Sequence, residues 1–435
     1  MTHSPSRCTG IALRALVGVA AFAAATSASQ AAPTPINLPQ AVQIVLANDL
    51  TLESLRKQAQ AAAASARTAG ILPPPKLGFK LANVPTNDWA FDREPMTQLG
   101  VSYLQPLPPS GLLDAMEARR LRSADILDAR AALRLIELRR SVQSAWINAW
   151  EAVNKHQIFS SHRAHLEQLL AAAESKYRAG VRRSSQQDVL SLRTAISGLE
   201  LQIDSSNTAL ITARESLREW MSGDELLGLD FVAPSAGHST DRPLEPDLSR
   251  HPAVEVKRAE VAQAEADREI AVAQNRAARS VSFSYAYRAD SEAGVTRSDL
   301  FSVGFSVELP SLRPAARRHR LEAASNALDA SMLSSEQLRL AMLSDYKSLV
   351  EINYAITEQI DTLTKEVLPQ TRQQTDSLRG AYAGGEAGFA QVQRAQFALM
   401  EHEISLLALQ SRQYHNNVTL EYIAGTSPER TRTTP

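Results

Sequence analysis

Two histidines lie three residues apart, His162 and His165, in a segment with a helical pattern. That spacing would place both imidazoles on one side of a helix, as a pair of metal ligands requires. No carboxylate or third histidine completes the set at an obvious ligand spacing, so a solvated helix face is the favoured interpretation. The sequence also lacks a nucleophile elbow, a glycine-rich phosphate loop and an H-E-x-x-H motif. It therefore predicts no enzyme, no bound metal and no cofactor.

A second set of residues recurs at two apparent turns. Tyr177-Arg-Ala-Gly180 is matched by Tyr382-Ala-Gly-Gly385, and Asp188 begins the helical pattern that follows the first turn. Glycine supplies the left-handed conformation that ends many helices, and aspartate can cap the next helix. Ordinary turn chemistry and a functional role at an exposed tip explain these residues equally well.

These turns belong to a larger internal duplication. Gly100-Val-Ser-Tyr-Leu-Gln-Pro106 is matched by Gly304-Phe-Ser-Val-Glu-Leu-Pro310, about 204 residues later. Leu77-Gly-Phe79 is matched by Val281-Ser-Phe283 at the same separation. Each half is predicted to contain a helix, two short strands, one very long helix and a returning helix. The domain boundaries that we predict are a signal peptide over 1–31, a first repeat over 32–220, a connector over 221–246, a second repeat over 247–424 and a disordered tail over 425–435.

Helix patterns dominate both halves. First helices are predicted over 36–70 and over 247–278, the latter opened by Ser249. A single helix is predicted from Leu112 to Arg178, which at 1.5 Å per residue would be about 100 Å long. Its apolar residues step by three and four, as in coiled coils. Pro369 should kink the corresponding helix of the second half.

The N-terminus resembles a secretory signal peptide. Arg7 and Arg14 supply positive charge ahead of an apolar run that is too short to span a bilayer, and Ser29-Gln-Ala31 forms a small-x-small cleavage site. The only cysteine, Cys8, precedes the apolar run, so no lipidation cysteine, disulfide or thiolate metal site is expected after cleavage. The formal charge of −1 gives no footprint for nucleic acid.

Four segments alternate apolar and polar residues with a period of two, which predicts four strands near residues 77–81, 99–103, 281–287 and 301–309. We expect the full strands, which extend beyond these alternating cores, to approach the 9–11 residues that a tilted strand needs to cross a bilayer. An open sheet cannot lie in lipid because its edges carry unpaired backbone groups. Several copies could pool their strands, and three copies would give twelve, an even number suited to a closed barrel. The alternative is a small soluble sheet packed on helices.

These features together resemble the TolC-type outer-membrane efflux family over residues 36–425. The features that support this resemblance are the duplicated layout, the two Tyr-x-x-Gly turns, the following Gln187-Asp-Val-Leu190, and the Gly-x-Ser-x-x-Gln-Pro strand at Gly100. The resemblance implies a mainly α protomer with two long coiled-coil hairpins and four transmembrane strands. It further implies a homotrimer with a 12-stranded barrel in the outer-membrane lipid and a helical tunnel in the periplasm.

Within that family the chain is most similar to the outer components of cobalt–zinc–cadmium efflux systems. Asn83-Val-Pro85 and Glu94-Pro-Met-Thr97 carry this similarity. It implies a periplasmic adaptor protein, which would dock at the tips, and an inner-membrane pump of the resistance-nodulation-division type. The family's gate tyrosine matches Tyr382, and its acidic ring matches Gln391 and Arg394, neither of which is acidic.

Three functional hypotheses remain from the sequence. The leading one is an outer-membrane exit duct for heavy-metal cations. The second keeps the duct but gives it organic drugs or secreted polypeptide as cargo. The third is a soluble periplasmic coiled-coil scaffold, which would be extracted without detergent.

Overall fold

The structure is a computed structural model that describes residues 35–180, 186–233, 245–291, 293–309 and 312–425. The predicted signal peptide, its cleavage site near Ala31 and nearly all of the predicted tail lie outside the described residues, as does much of the connector. Within these ranges the chain is mainly helical with one small sheet, as the sequence predicts.

The first helical segment is broken in two at Asp49. Helix α1 spans Leu38–Asn48 and helix α2 spans Leu50–Ala69, so the prediction of one continuous helix over 36–70 is wrong. The fully buried Asp49 carboxylate caps α2 through the Leu52 amide at 2.6 Å and accepts a hydrogen bond from Arg134 at 2.7 Å. Burial alone would raise the pKa of this carboxyl, but these hydrogen bonds outweigh it and hold the pKa below its ordinary value.

Four antiparallel strands form one sheet in chain order. Strands β1 (Lys76–Ala82) and β2 (Gln98–Leu107) come from the first half, and β3 (Arg279–Tyr287) and β4 (Leu300–Val307) from the second. All four predicted strands are confirmed. The halves join through β2 and β3, where Tyr103 is opposite Phe283.

The long hairpin of the first half is confirmed. Helix α3 spans Leu112–Arg178, the predicted bounds, and α4 (Gln186–Glu215) returns along it. The short helix α5 (Gly223–Leu227) follows within the predicted connector. One hydrophobic core packs α1 against α3 around Trp146 and Leu138, which are each no more than 2% exposed.

The second half repeats this plan, with a first helix shorter than predicted and an interruption close to Pro369, where a kink is predicted. Helix α6 (Pro252–Ala273) begins after a short 3₁₀ turn and is shorter than the predicted 247–278, and its N-cap is His251 rather than Ser249. The outgoing helix α7 (Pro314–Thr362) passes through a π-helical turn at Leu363–Val367 into α8 (Leu368–Ala383). Pro369, which has no amide hydrogen for the carbonyl four residues earlier, explains why the α-helical pattern is interrupted there. Helix α9 (Phe389–Ala424) returns.

No helix in the described ranges is both long enough and apolar enough to cross a membrane.

Candidate functional site: the sheet face and the hairpin tips

One face of the sheet is apolar and exposed. The strand register places Phe79 opposite Val101, and Val101 opposite Tyr285, so the apolar side chains form one continuous surface. Phe79 is 74% exposed and Phe301 69%. We call this surface the apolar sheet face; its large exposed side chains are Leu77, Phe79, Leu81, Leu99, Val101, Tyr103, Phe283, Tyr285, Tyr287, Phe301, Val303, Phe305 and Val307. A contiguous apolar surface of this kind marks contact with lipid or with protein.

The opposite face of the sheet carries mostly small or polar side chains. Ser102, Ser284 and Ser302 are aligned across β2, β3 and β4. Ser280 and Ser306 share a hydrogen bond of 2.7 Å across β3 and β4. An apolar face on one side and a hydroxyl-rich face on the other is the pattern of a strand between lipid and an aqueous lumen.

The two hairpin tips have the same backbone geometry. The Gly180 amide donates to the Tyr177 carbonyl at 3.1 Å, and the Gly385 amide donates to the Tyr382 carbonyl at 3.2 Å. Both glycines are left-handed, with φ of +67° and +81°. Glycine is needed there because other residues adopt this conformation with difficulty. The turn chemistry expected from the sequence is therefore present at both tips.

The two tips differ in their side chains. Tyr177 is 47% exposed, whereas Tyr382 packs against Phe389 with ring centroids 6.3 Å apart. The Lys176 ammonium lies 3.9 Å from the Tyr382 ring centroid and donates to the Tyr382 carbonyl at 2.7 Å. Burial raises the pKa of the Tyr382 phenol, and the negative charge of Asp188 raises it further. Tyr382 therefore joins the tip of the second half to α3 and α4 of the first.

The remaining predicted tip residues lie on the first turns of α9. The side chain of Gln391 accepts a hydrogen bond from the Gly388 amide at 3.0 Å and so caps this helix. Arg394 is exposed and donates to the Ala390 carbonyl of its own helix at 3.2 Å. The two positions that match the family's acidic ring therefore hold a helix-capping amide, Gln391, and a cation, Arg394.

His162 contradicts the expectation of a solvated helix face, because it is only 4% exposed. Its Nε2 lies 2.9 Å from a Glu403 carboxylate oxygen, and its Nδ1 lies 2.7 Å from the Gln396 side-chain nitrogen. Since Gln396 accepts a hydrogen bond from Arg379 at 2.6 Å, its amide nitrogen is the group that donates to His162. This network joins α3 to α8 and α9.

The error has a simple physical source. From Phe159, the apolar stripe of the helix can reach Leu166 by a step of three and then four residues, which passes through His162. It can also reach Leu166 by a step of four and then three, which passes through Arg163. The structure follows the first order, and Arg163 instead pairs with Glu167 and Glu200 at the helix surface. His165 is exposed, as expected. The described residues contain no group of three or more histidines, cysteines or carboxylates that could hold a metal ion.

Comparison with known proteins gives matches in structure only. No family model matches the chain, and a search of curated proteins finds no match. CusC, whose crystal structures concern conformational changes during folding and transmembrane channel formation, is 18% identical with a TM-score of 0.71, covering 90% of this chain and 92% of CusC. The outer membrane protein VceC of Vibrio cholerae is 14% identical with a TM-score of 0.72, covering 90% of this chain and 96% of VceC.

A third neighbour is the CmeC outer membrane channel of Campylobacter jejuni. It is 10% identical with a TM-score of 0.70, covering 91% of this chain and 88% of CmeC. Nearly the whole of the described chain therefore has the fold of TolC-type outer-membrane channels.

Proposed function

We propose that this protein is an outer-membrane exit channel of a tripartite efflux system. The observation that carries the proposal is the apolar sheet face, which is exposed on a chain whose helices have well-packed cores of their own. In water such a face would be costly, whereas in a bilayer it meets hydrocarbon. A channel has no catalytic step, and its contribution is a path across the periplasm and the outer membrane.

A homotrimer would satisfy the edges of the sheet. Within the described residues β1 and β4 each pair on one side only. Backbone groups at such edges must find partners inside a bilayer, and the edge strands of identical neighbours supply them. Twelve strands from three copies would then close a barrel.

Two exposed helical stripes support assembly as well. On α7, Leu333, Leu340 and Tyr354 are 72%, 52% and 37% exposed and stand at heptad spacing. On α4, a second stripe consists of Leu190, Leu201 and Ile211, which are 53%, 70% and 59% exposed. Apolar residues on one helix face favour packing against another helix. A neighbouring copy is the partner proposed here.

The hairpin tips are proposed as the periplasmic gate and as the docking site of an adaptor protein. The residues assigned to this role are Tyr177, Gly180, Asp188, Tyr382, Gly385, Gln391 and Arg394. The inner-membrane partner would be a pump of the resistance-nodulation-division type, which provides the energy. A cation at Arg394 and an amide at Gln391 give this gate no acidic ring at those positions.

Heavy-metal cations are proposed as the cargo, on the sequence similarity of the first strand-connecting loop. In the structure the residues that carry this similarity build the base of that loop. The Asn83 amide donates to the Met96 carbonyl at 3.0 Å, and the Thr97 hydroxyl donates to the Asn83 carbonyl at 2.7 Å. Growth of a deletion strain on zinc, cobalt, cadmium or copper, compared with organic drugs, tests the cargo. Sensitivity to drugs alone would assign the second cargo class.

Membrane fractionation tests the channel itself. The full chain should sediment with outer membranes, resist washing with salt and alkali, and require detergent for release. Release of a folded protein into aqueous buffer would favour the soluble scaffold and contradict the proposal. If deletion leaves metal resistance unchanged while the intact protein fractionates with outer membranes, the metal cargo is contradicted and the channel proposal stands.

A further inference from the structure

The loop between β1 and β2 holds an exposed tryptophan in an unusual backbone conformation. Trp89 is 71% exposed and has a φ of +57°. Among the residues that the structure describes, only Asn83 is a further non-glycine residue with positive φ. Asparagine tolerates this region well, but it is a rare conformation for a bulky aromatic residue.

The corresponding loop of the second half shows the ordinary solution. Its left-handed residue is Gly294, with a φ of +80°. The Gly294 amide donates to the Ser291 carbonyl at 2.8 Å, which closes a tight turn. Glycine adopts this conformation without a steric cost. The first half has a tryptophan in this conformation instead. A turn does not require a large aromatic side chain at this position, so the presence of the indole needs a separate explanation.

Local hydrogen bonds fix Trp89 in place. Its amide donates to the Pro85 carbonyl at 3.1 Å, and the next amide, of Ala90, donates to the Asp88 carboxylate at 3.1 Å. Asp88 also forms an ion pair with Arg93. The loop therefore presents the indole outward from a fixed backbone.

The second loop braces the first. The Arg297 guanidinium donates to the carbonyls of Glu94 at 3.2 Å and Arg93 at 3.4 Å. The base of the first loop is closed at Thr97, which is fully buried. These contacts hold the loop that carries Trp89 against the second loop.

The position of this loop indicates what the indole meets. The loop leaves β1 at Ala82 and enters β2 at Gln98, the end of the sheet at which Leu99 pairs with Tyr287. Leu99 and Tyr287, 47% and 50% exposed, belong to the apolar sheet face. Trp89 thus lies beyond the end of a surface already proposed to contact hydrocarbon. Tryptophan and tyrosine favour the boundary between hydrocarbon and headgroups, because their rings combine an apolar body with a polar N–H or O–H.

We propose that Trp89 anchors the loop end of the sheet in the headgroup interface of the bilayer. The partner is therefore a lipid surface. This inference rests on the proposed channel function, since it requires the apolar sheet face to be embedded in lipid.

Depth-dependent quenching of fluorescence tests the proposal. The full chain and its Trp89→Phe variant are inserted into phosphatidylcholine vesicles that carry bromine either near the headgroup or deep in the acyl chains. The emission of Trp89 is obtained by subtracting the emission of the Trp89→Phe variant from that of the full chain. The other three tryptophans cancel in this difference; Trp146 and Trp150 are buried, and Trp220 donates to the Asp49 carboxylate at 2.9 Å. We expect strong quenching by shallow bromine, weaker quenching by deep bromine, and protection from aqueous iodide.

A matched control uses Leu227, which is 70% exposed on α5, far along the chain from the sheet. Leu227→Trp in the Trp89→Phe background should be quenched by iodide and untouched by either bromine. If Trp89 is quenched by iodide and by neither bromine while the protein floats with the vesicles, the proposed membrane anchor is contradicted and the channel proposal stands. If neither protein floats with vesicles, the channel proposal itself fails.

Discussion

The sheet and the helical body place the same kinds of side chain in opposite surroundings. In the body, Trp146 is 2% exposed and packs against Phe231 with ring centroids 4.9 Å apart. In the sheet, Phe79 is 74% exposed. The body therefore buries its apolar side chains in its own core, whereas the sheet leaves them exposed, and in the proposed channel lipid would cover them. Burial within one chain marks the part of the fold that is stable by itself, and the exposed apolar sheet face marks the part that we propose lipid and neighbouring copies complete.

The largest difference between the two regions is expected when one aromatic residue is truncated in each. Trp146→Ala should lower the free energy of unfolding by about 3–5 kcal/mol, because it removes a buried ring and leaves a cavity. It also removes the hydrogen bond from the indole to the Val232 carbonyl, 3.0 Å long. Phe79→Ala should cost clearly less, since no internal cavity forms. Urea unfolding in detergent, followed by helical circular dichroism, measures both, and equal losses would contradict the contrast.

A charge on the apolar sheet face should have the next largest effect. Val101 lies at the middle of the sheet, between Phe79 and Tyr285. Val101→Arg should reduce stability in the bilayer by about 2–4 kcal/mol, the cost of arginine near a membrane midplane. The neighbouring Ser102→Arg points to the opposite face and serves as the matched control. Assembly into lipid vesicles distinguishes them, and equal assembly of both variants would mean that Val101 does not face lipid.

Acid should weaken the body and leave the sheet unaffected, since none of the four strands contains a histidine. Burial lowers the pKa of His251, whose Nδ1 accepts from the Ala253 amide at 3.1 Å and caps α6. Burial also lowers the pKa of His415, although the charge of Glu151 opposes this. The folded state therefore favours the neutral imidazoles.

The stabilisation that comes from keeping His251 and His415 neutral is complete above the ordinary histidine pKa of about 6.5. It is lost as the pH falls from there toward the lowered pKa values of the folded state. Melting of the helices, recorded between about pH 8 and about pH 5, should show a decreasing melting temperature. His251→Asn keeps a capping side chain without this titration and should flatten the profile. A variant with the same slope as the original chain would exclude His251 as a source.

The smallest expected effect is at the tips, where the two halves of the molecule meet. Lys176→Met removes the ammonium from the Tyr382 ring and carbonyl, and should cost about 1 kcal/mol of local stability. Hydrogen exchange of the α8–α9 turn should become faster, while exchange near Gly180 changes little. Lys365→Met, which breaks an exposed pair with Asp361, is the control and should alter neither turn.

The sequence predicts the repeating parts of this fold well and its tertiary exceptions poorly. Helix α3 has its predicted ends because an unbroken three–four spacing, with no proline inside it, fixes a long helix locally. The break at Asp49 could not be predicted in the same way, because the buried ion pair that stabilises it involves Arg134, 85 residues away. Local patterns carry no information about such a partner.

The candidate sites show the same limit. The glycines of both tips follow from turn chemistry, and the structure confirms their left-handed backbone. The sequence predicts a solvated His162 because its partner Glu403 lies 241 residues away and because the three–four spacing can continue from Phe159 through either His162 or Arg163. Trp89 carries no sequence motif, since its feature is a backbone angle. Whether the tip residues form a gate stays a prediction.

The copy number of the detergent-solubilised protein decides whether identical neighbours complete the proposed channel. If the apolar sheet face and the two open sheet edges are completed by identical neighbours in a membrane, native mass spectrometry of the complex released from outer membranes should give three copies. A stable, folded monomer obtained from an aqueous extract, with the strands in contact with water, would contradict the account.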